Sequence, residues 1–227
     1  MKLVLTCEHA FNTIPNKYKH LFNGENEVLH THEAFDPGAH DLFESLESLA
    51  DFSHFQSISR LLIETNRSIG HASLYSRFTK QLPEADKKYL LEAYYLPYRR
   101  RVQTTIEDYI ENGHQVLHLS IHSFTPILKG IERHNDIGLL YDPKRENEKL
   151  FCAKFKQLLT HSTDLKIRYN YPYLGKSDGF TTYLRKTFPQ KYMGIEIEVN
   201  QKFVANNKFP SGLKRQVYGA IKSGITA

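Results

Sequence analysis

Groups capable of proton transfer, metal ligation or nucleophilic attack stand at three places that read as strand ends. "LVLTCEHAFNTIP" runs from Leu3 to Pro15 and sets Cys7, Glu8 and His9 directly after an apolar run. "QVLHLSIHSF" closes on His122 and Ser123, and "GIEIEVNQ" carries Glu196 and Glu198 among apolar residues. Glu196 and Glu198 are two apart, so on a strand they point to one face. A buried carboxylate costs several kcal/mol unless it is paired, protonated or bound to a cation. That face therefore needs a basic partner or a metal, unless it is the solvent side of an edge strand. Histidine is the commonest metal ligand and a frequent acid or base, and the chain has 12. A histidine after one strand also serves ordinary loops. Two of them after two apolar strands, with paired acids on a third, point to a site.

Further groups are candidates for it. "SRLLIETNRSIG" contains Arg60 and the pair Asn66-Arg67. A guanidinium fork matches the two oxygens of a carboxylate, so the pair reads as a clamp for one. "DPGAHDLFESL" sets Asp36 just before a helix, where it is either a first-turn carboxylate or a third metal ligand. Cys7 reads as a small buried hydrophobe; its other reading is an amidase nucleophile working with His9 or His122.

The elements that must position these groups alternate in type. "KLVLTC" reads as the first strand, and "AHDLFESLESLADF" has Leu42, Leu46 and Leu49 at helical spacing. "FQSISRLLIETNR" reads as extended. The stretch from Pro83 to Gly113 reads as one long helical region, with Pro97 expected to kink or split it. "QVLHLSIHSF", "DIGLLYD", "KIRYNYPY" and "YMGIEIEVN" read as extended segments; "NEKLFCAKFKQLLTHS", "GFTTYLRKTF" and "SGLKRQVYGAIKSGI" read as helices. Strands alternating with helices imply a mostly parallel sheet covered on both faces. Ligands of such sheets gather beyond the carboxyl ends of the strands, where the candidate groups stand.

Composition narrows the partners. A chain of 227 residues buries a sizeable core unaided, and residues 1–227 are expected to form a single α/β hydrolase-type domain. No apolar run approaches the roughly 18 residues of a membrane helix. "MKLVLTCEHA" has no small-residue cleavage site and reads as a core strand rather than a signal peptide. The two cysteines, Cys7 and Cys152, suit reduced thiols in a cytoplasmic protein. The net charge of +5 is spread along the chain, with its largest cluster, Arg99 to Arg101, inside a helical stretch. This distribution favours a small anionic substrate over nucleic acid.

Taken in order, "CEHAFNTIP", "FDPGAHDL", "SRLLIETNR", "HSFTP", "NYPYLGKSDGFT" and "GIEIEVN" give the chain its resemblance to the N-formylglutamate amidohydrolase family, roughly from Leu3 to Gln201. That family is similar in turn to zinc carboxypeptidases. The resemblance implies a three-layer α/β/α fold with a mostly parallel mixed sheet, zinc-carboxypeptidase-like (phosphorylase/hydrolase-like). It implies one Zn2+ per chain, held by His9, His122 and a carboxylate. Asn12 stands where the carboxypeptidase pattern has a glutamate, so Asp36 is the expected third ligand, with Glu8 as the alternative. Glu64 stands where the family has an aspartate, which keeps the charge. Glu196 or Glu198 is the implied base. Arg67 is the implied substrate clamp, with Asn66 as a second donor, Arg60 and Arg133 as helpers, and Ser123 beside the substrate. "NYPYLGKSDG" is expected to loop over the site and bring Tyr173 and Lys176 to it. The implied activity is zinc-dependent cleavage of N-formyl-L-glutamate or a related N-acyl amino acid, in cytoplasmic amino-acid degradation. The alternatives are a zinc peptidase or cell-wall amidase, or a metal-free binding protein, on the same scaffold.

Overall fold

The computed structural model describes residues 1–226. Its strands are β1 (Lys2–Cys7), β2 (Phe52–Phe55), β3 (Val116–Phe124), β4 (Ile127–Leu128), β5 (Ile131–Glu132), β6 (Ile137–Leu140), β7 (Ile167–Tyr169) and β8 (Tyr192–Asn200). Its α-helices are α1 (Ala39–Leu46), α2 (Glu84–Leu90), α3 (Leu96–Glu111), α4 (Glu146–Ser162), α5 (Phe180–Thr187) and α6 (Ser211–Thr226). Six strands form one mixed sheet in the order β2-β1-β3-β8-β6-β7. β2, β1, β3 and β8 run parallel, while β6 pairs antiparallel with β8. β4 and β5 form a separate small hairpin. Among the described residues no helix is long and apolar enough to cross a membrane.

Strand parity divides the sheet into two unlike faces. In β3, Leu117, Leu119 and Ile121 pair beside Met193, Ile195 and Ile197 of β8. With Leu3 and Leu5 of β1 they bury against Leu42 and Phe43 of α1, Phe155 of α4 and Val217 of α6. Each such side chain contributes about 1.5–3 kcal/mol by leaving water. The alternate residues His118, Ser120 and His122 pair beside Gly194, Glu196 and Glu198. They share the other face with Tyr98 and Val102 of α3 and Phe180 and Leu184 of α5, whose own apolar cluster includes Val4 and Tyr192. That polar stripe runs to the carboxyl ends of β3 and β8. β1 has β2 on one side and β3 on the other, so the chain reverses its direction of sheet growth there, the place where open α/β sheets form a ligand crevice.

One expectation needs correction. The stretch read as extended, Phe55 to Arg67, leaves the sheet after Phe55 and continues mostly as turns. Leu61, Leu62 and Ile63 bury instead in a second small core with Tyr18, Phe22 and Leu90. Side chains there replace a strand ladder: Gln56 Oε1 accepts from Ser57 N at 2.9 Å, and Ser59 Oγ accepts from Leu61 N at 3.1 Å. The long helical region is split, as Pro97 requires, but through a π-helical turn at Leu91–Tyr95 that joins α2 to α3. The wider turn accommodates the missing proline N–H.

Gly138 of β6 shows how tightly the far side of the site packs. A Cβ there would lie 2.2 Å from the Tyr171 carbonyl oxygen and 3.4 Å from Glu198 Cβ. Gly138→Ala is expected to lower unfolding stability by roughly 1–3 kcal/mol, an overpacking cost. Gly219→Ala in α6, where nothing lies within 4 Å, is expected to raise it by about 0.5–1 kcal/mol. Urea unfolding of both variants checks the pair; equal effects would contradict the packing.

Candidate active site

His9 lies just past β1, His122 near the end of β3, and Asp36 in the turn that enters α1. That turn is pinned by Asp36 N donating to the His9 carbonyl at 2.9 Å. Gly38 permits it: its φ is +80°, and a Cβ would meet Phe209 at 2.8 Å, a place only glycine fits. Asp36 Oδ2 comes within 3.2 Å of His9 Nδ1 and 2.9 Å of His122 Nδ1. The two rings are 4.9 Å apart at their centroids, and one donor atom from each of the three residues lies within 4.8 Å of the others. All three residues are buried.

The opposite edge of each ring meets a carboxylate. His9 Nε2 is 2.6 Å from Glu64 Oε1, and His122 Nε2 is 3.2 Å from Glu8 Oε2 and 2.9 Å from Ser120 Oγ. Such outer partners fix the tautomer so that the inner nitrogen presents its lone pair, and they raise its basicity. Two imidazoles and one carboxylate at this spacing match the three protein ligands of a catalytic metal site that keeps a position open. His9, Asp36 and His122 therefore form a group that could hold a metal ion. Glu8, the alternative ligand, stands behind His122 and does not line the cavity. Burial pushes the His9 and His122 pKa values down, and Arg60 adds to this at His9. Glu64 and Asp36 outweigh these effects at His9, and Asp36 and Glu8 do so at His122, so both pKa values are raised.

Glu196 and Glu198 share a face, as their spacing requires, but not a setting. Glu196 Oε1 accepts from Thr181 Oγ1 at 2.7 Å. Glu198 pairs beside His122 in the sheet, is 5% exposed, and has an Oε2 with no hydrogen-bond partner among the described residues. Burial raises its pKa to about 7; Asp36 and Glu196 push the same way, against the pull of His122 and His9. A carboxyl so poised suits proton transfer near neutral pH.

These groups line one cavity of about 290 Å³ with Arg60, Asn66, Arg67, Ser123 and Tyr173. Arg67 Nη1 donates to the carbonyls of Asp178 at 2.8 Å and Asn66 at 3.1 Å, while Asn66 Oδ1 accepts from Phe180 N at 2.7 Å. Arg60 is taken up by acids: Nη2 is 2.5 Å from Glu64 Oε2 and Nη1 is 3.5 Å from Asp36 Oδ1. Ser123 Oγ donates to the Pro37 carbonyl at 2.7 Å and accepts from Gln201 Nε2 at 3.0 Å. Arg133 stands behind Tyr173, donating to its hydroxyl at 3.2 Å, and does not itself line the cavity. Lys176 is exposed and likewise off the lining. The cavity also takes in His32, Asp178 and Gln201, which sequence reading missed. Gln201 directly follows β8, so its strand-end position was a usable signal. His32 sits in a turn region that gave none. Cys7 is fully buried in the apolar core, and burial, then Glu8 and Asp36, push its thiol pKa well up, which removes the thiolate a nucleophile needs.

A model of the N-formylglutamate amidohydrolase family matches residues 1–205. The crystal structure of the gene product Atu2144 from Agrobacterium tumefaciens is similar over 99% of this chain and 90% of that one, with a TM-score of 0.84 at 27% identity. The crystal structure of N-formylglutamate amidohydrolase from Ralstonia eutropha JMP134 is similar over 98% of this chain and 92% of that one, with a TM-score of 0.71 at 17% identity. No curated protein matches the chain. With nearly the whole chain matched by the family model over this fold and this cavity, the chain belongs to the N-formylglutamate amidohydrolase family.

Proposed function

We propose that the chain is a zinc-dependent amidohydrolase that cleaves N-formyl-L-glutamate, or a closely related N-acyl amino acid, to the free amino acid and formate or another carboxylate. The observation that carries this reading is the convergence of His9, Asp36 and His122 beside Glu198, whose Oε2 is unpartnered, in the cavity that also holds Asn66 and Arg67. Zn2+ is the cation assigned to the triad, because two imidazoles and a carboxylate, each imidazole backed by a further carboxylate, suit it. When bound, it supplies Lewis-acid chemistry, acidifying water and polarising the amide carbonyl.

The chain's own groups supply the remainder. A cation held beside Glu198 would favour its ionised form, the form that accepts a proton. Glu198 takes a proton from the attacking water and returns it to the leaving nitrogen as the C–N bond breaks. Glu196, tied to Thr181, holds its place beside the base. Arg67 and Asn66 clamp the substrate's α-carboxylate and so orient the amide. Tyr173, whose oxygen accepts from Arg133, keeps its own proton to donate to the substrate. The cavity of about 290 Å³ lies at the small end for ligand sites, which favours a small amide over a peptide or cell-wall strand. Both cysteines are free and buried, which suits a reducing compartment and a cytoplasmic place among amino-acid-degrading reactions.

Formate release from N-formyl-L-glutamate tests the base. Glu198→Gln is expected to keep its zinc and lose about 10²–10⁴-fold in turnover, the usual worth of a general base. Glu196→Gln is expected to lose much less. Near-normal turnover in Glu198→Gln would remove Glu198 from the mechanism.

Metal analysis and pH test the triad. His9→Ala and His122→Ala are expected to lose stoichiometric zinc, and chelator to abolish turnover in the wild type. Protons compete with zinc for imidazoles whose pKa values are raised in the metal-free site. Zinc affinity should therefore rise with pH through values above the ordinary imidazole pKa of about 6.5 and then level off. A chelator-competition titration reads this, and an affinity flat across the neutral range would contradict the assigned ligands.

A further inference from the structure

One face of the helix entering α3 touches both halves of the site from behind. Tyr95 closes the π-helical turn, and Tyr98 and Arg99 follow it three and four residues on, a spacing that stacks side chains on one side. Tyr98 Oη donates to Glu8 Oε1 at 2.9 Å, and the other oxygen of Glu8 meets His122 Nε2. Arg99 Nη1 donates to the carbonyls of Thr65 at 3.0 Å and Arg67 at 3.3 Å, and Tyr95 Oη donates to the Arg67 carbonyl at 2.7 Å. The two carbonyls that Arg99 reaches flank Asn66 and include that of Arg67 itself.

Arg99 is a costly residue to keep there. It is 5% exposed and forms no salt bridge among the described residues. Its guanidinium instead lies 4.3 Å from the centre of the Phe180 ring, 4.5 Å from that of Tyr183 and 5.0 Å from that of Tyr95. Desolvating a charge without a counter-ion is unfavourable, and apolar packing of similar volume is often as stable or more so. Stability alone gives no reason for a guanidinium here. The geometry does: a planar, multi-donor group held by three rings reaches two carbonyls in fixed directions. Phe180, under that guanidinium, also supplies the N–H that holds the Asn66 side chain.

We propose that Tyr98 and Arg99, with Tyr95, are positioning residues: Tyr98 sets the His122 ligand through Glu8, and Arg99 sets the Asn66-Arg67 clamp through its main chain. The second half rests on the reading of Asn66-Arg67 as the substrate clamp. The three side chains share one face because Tyr98 and Arg99, in the proline-bearing first turn of α3, stand one helical turn beyond Tyr95, the last residue of the π-helical turn.

The test uses Tyr98→Phe, Arg99→Met, Arg99→Lys and, as a packing control on the same helix, Val102→Ala. Zinc affinity is measured by chelator competition, and KM and kcat by formate release. Tyr98→Phe is expected to weaken zinc binding by about 10–100-fold, the range for outer-sphere partners, with KM unchanged. Arg99→Met is expected to leave zinc affinity unchanged and to raise KM by about tenfold or more, as loss of a binding interaction does. Arg99→Lys should recover part of that KM, since an ammonium still donates to one carbonyl. Val102→Ala should lower only the melting temperature. Wild-type zinc affinity in Tyr98→Phe, or zinc loss in Arg99→Met matching that in Tyr98→Phe, would overturn the proposal. A wild-type enzyme that releases no formate would overturn the substrate reading alone, because the zinc comparison between Tyr98→Phe and Arg99→Met needs no substrate and still decides.

Discussion

Charge balance around Asp36 is the constraint on which the site depends. Glu8, Asp36 and Glu64 are all buried, and all three are held ionised: burial pushes each pKa up, but His122 at Glu8, His9 and His122 at Asp36, and Arg60 and His9 at Glu64 pull it far below the ordinary carboxylate value. Arg60 supplies one of the three positive charges they demand. The other two come either from protons on His9 and His122 or from one divalent cation on neutral rings. The raised imidazole pKa values and the fitness of the site to hold a dication are thus the same electrostatic demand met in two ways. Glu198 is a fourth carboxyl in a site whose negative charge is already matched. Burial above all, with Asp36 and Glu196, raises its pKa to about 7 against the pull of His122 and His9.

Such a concentration of acids has to be built into a sheet that is otherwise apolar. Strand parity does it at little expense to the core. Leu117, Leu119 and Ile121 of β3 meet α1, α4 and α6 and bury as ordinary core residues. His118, Ser120 and His122, which alternate with them, form a polar stripe with their neighbours on β1 and β8. His118 Nδ1 is 2.8 Å from Tyr192 Oη, and His118 Nε2 is 2.7 Å from Thr6 Oγ1. Burial takes the His118 pKa down to about 4, so this histidine is a neutral hydrogen-bonding link. A fully partnered polar chain adds rigidity where an incomplete one would be costly. The stripe is complete at its amino end and leaves Glu198 Oε2 as its unpartnered atom near the carboxyl end.

How legible this was in the sequence follows from the same parity. β1, β3 and β8 were readable because apolar runs ended on chemistry-bearing residues, and the shared face of Glu196 and Glu198 followed from their spacing. The choice between those two glutamates did not, since parity treats them alike; Thr181, arriving from α5, distinguishes them. Adjacent residues on an extended chain diverge, and that argument against Glu8 as a ligand beside His9 accords with its position across the His122 ring. The turns after Phe55 were misread because Leu61, Leu62 and Ile63 resemble a strand by composition. Only their partners in the second core, from segments distant in sequence, reveal otherwise. Lys176 sits in a loop rich in glycine and proline, whose sequence does not disclose which side chains turn inward, and Arg133, between β5 and β6, reaches the cavity only through Tyr173.

The two arginines of the "SRLLIETNR" segment illustrate why residue type alone does not assign a role. Sequence reading makes Arg60 a helper in substrate binding beside Arg67. In the fold, Arg60 bridges Glu64 and Asp36. Drawing it onto a substrate carboxylate would leave two buried acids short of positive charge, a penalty of several kcal/mol. Arg67 forms no salt bridge among the described residues, and its guanidinium donates to the main-chain carbonyls of Asn66 and Asp178. Carbonyls fix the direction of a guanidinium without cancelling its charge. Arg67 lies on the wall of a small cavity, with the Glu64 and Asp178 carboxylates acting on it through space rather than through a salt bridge. The same chemical group bridges buried acids at one position and is held by main-chain carbonyls at the other, and the difference lies in whether its hydrogen-bond partners are charged.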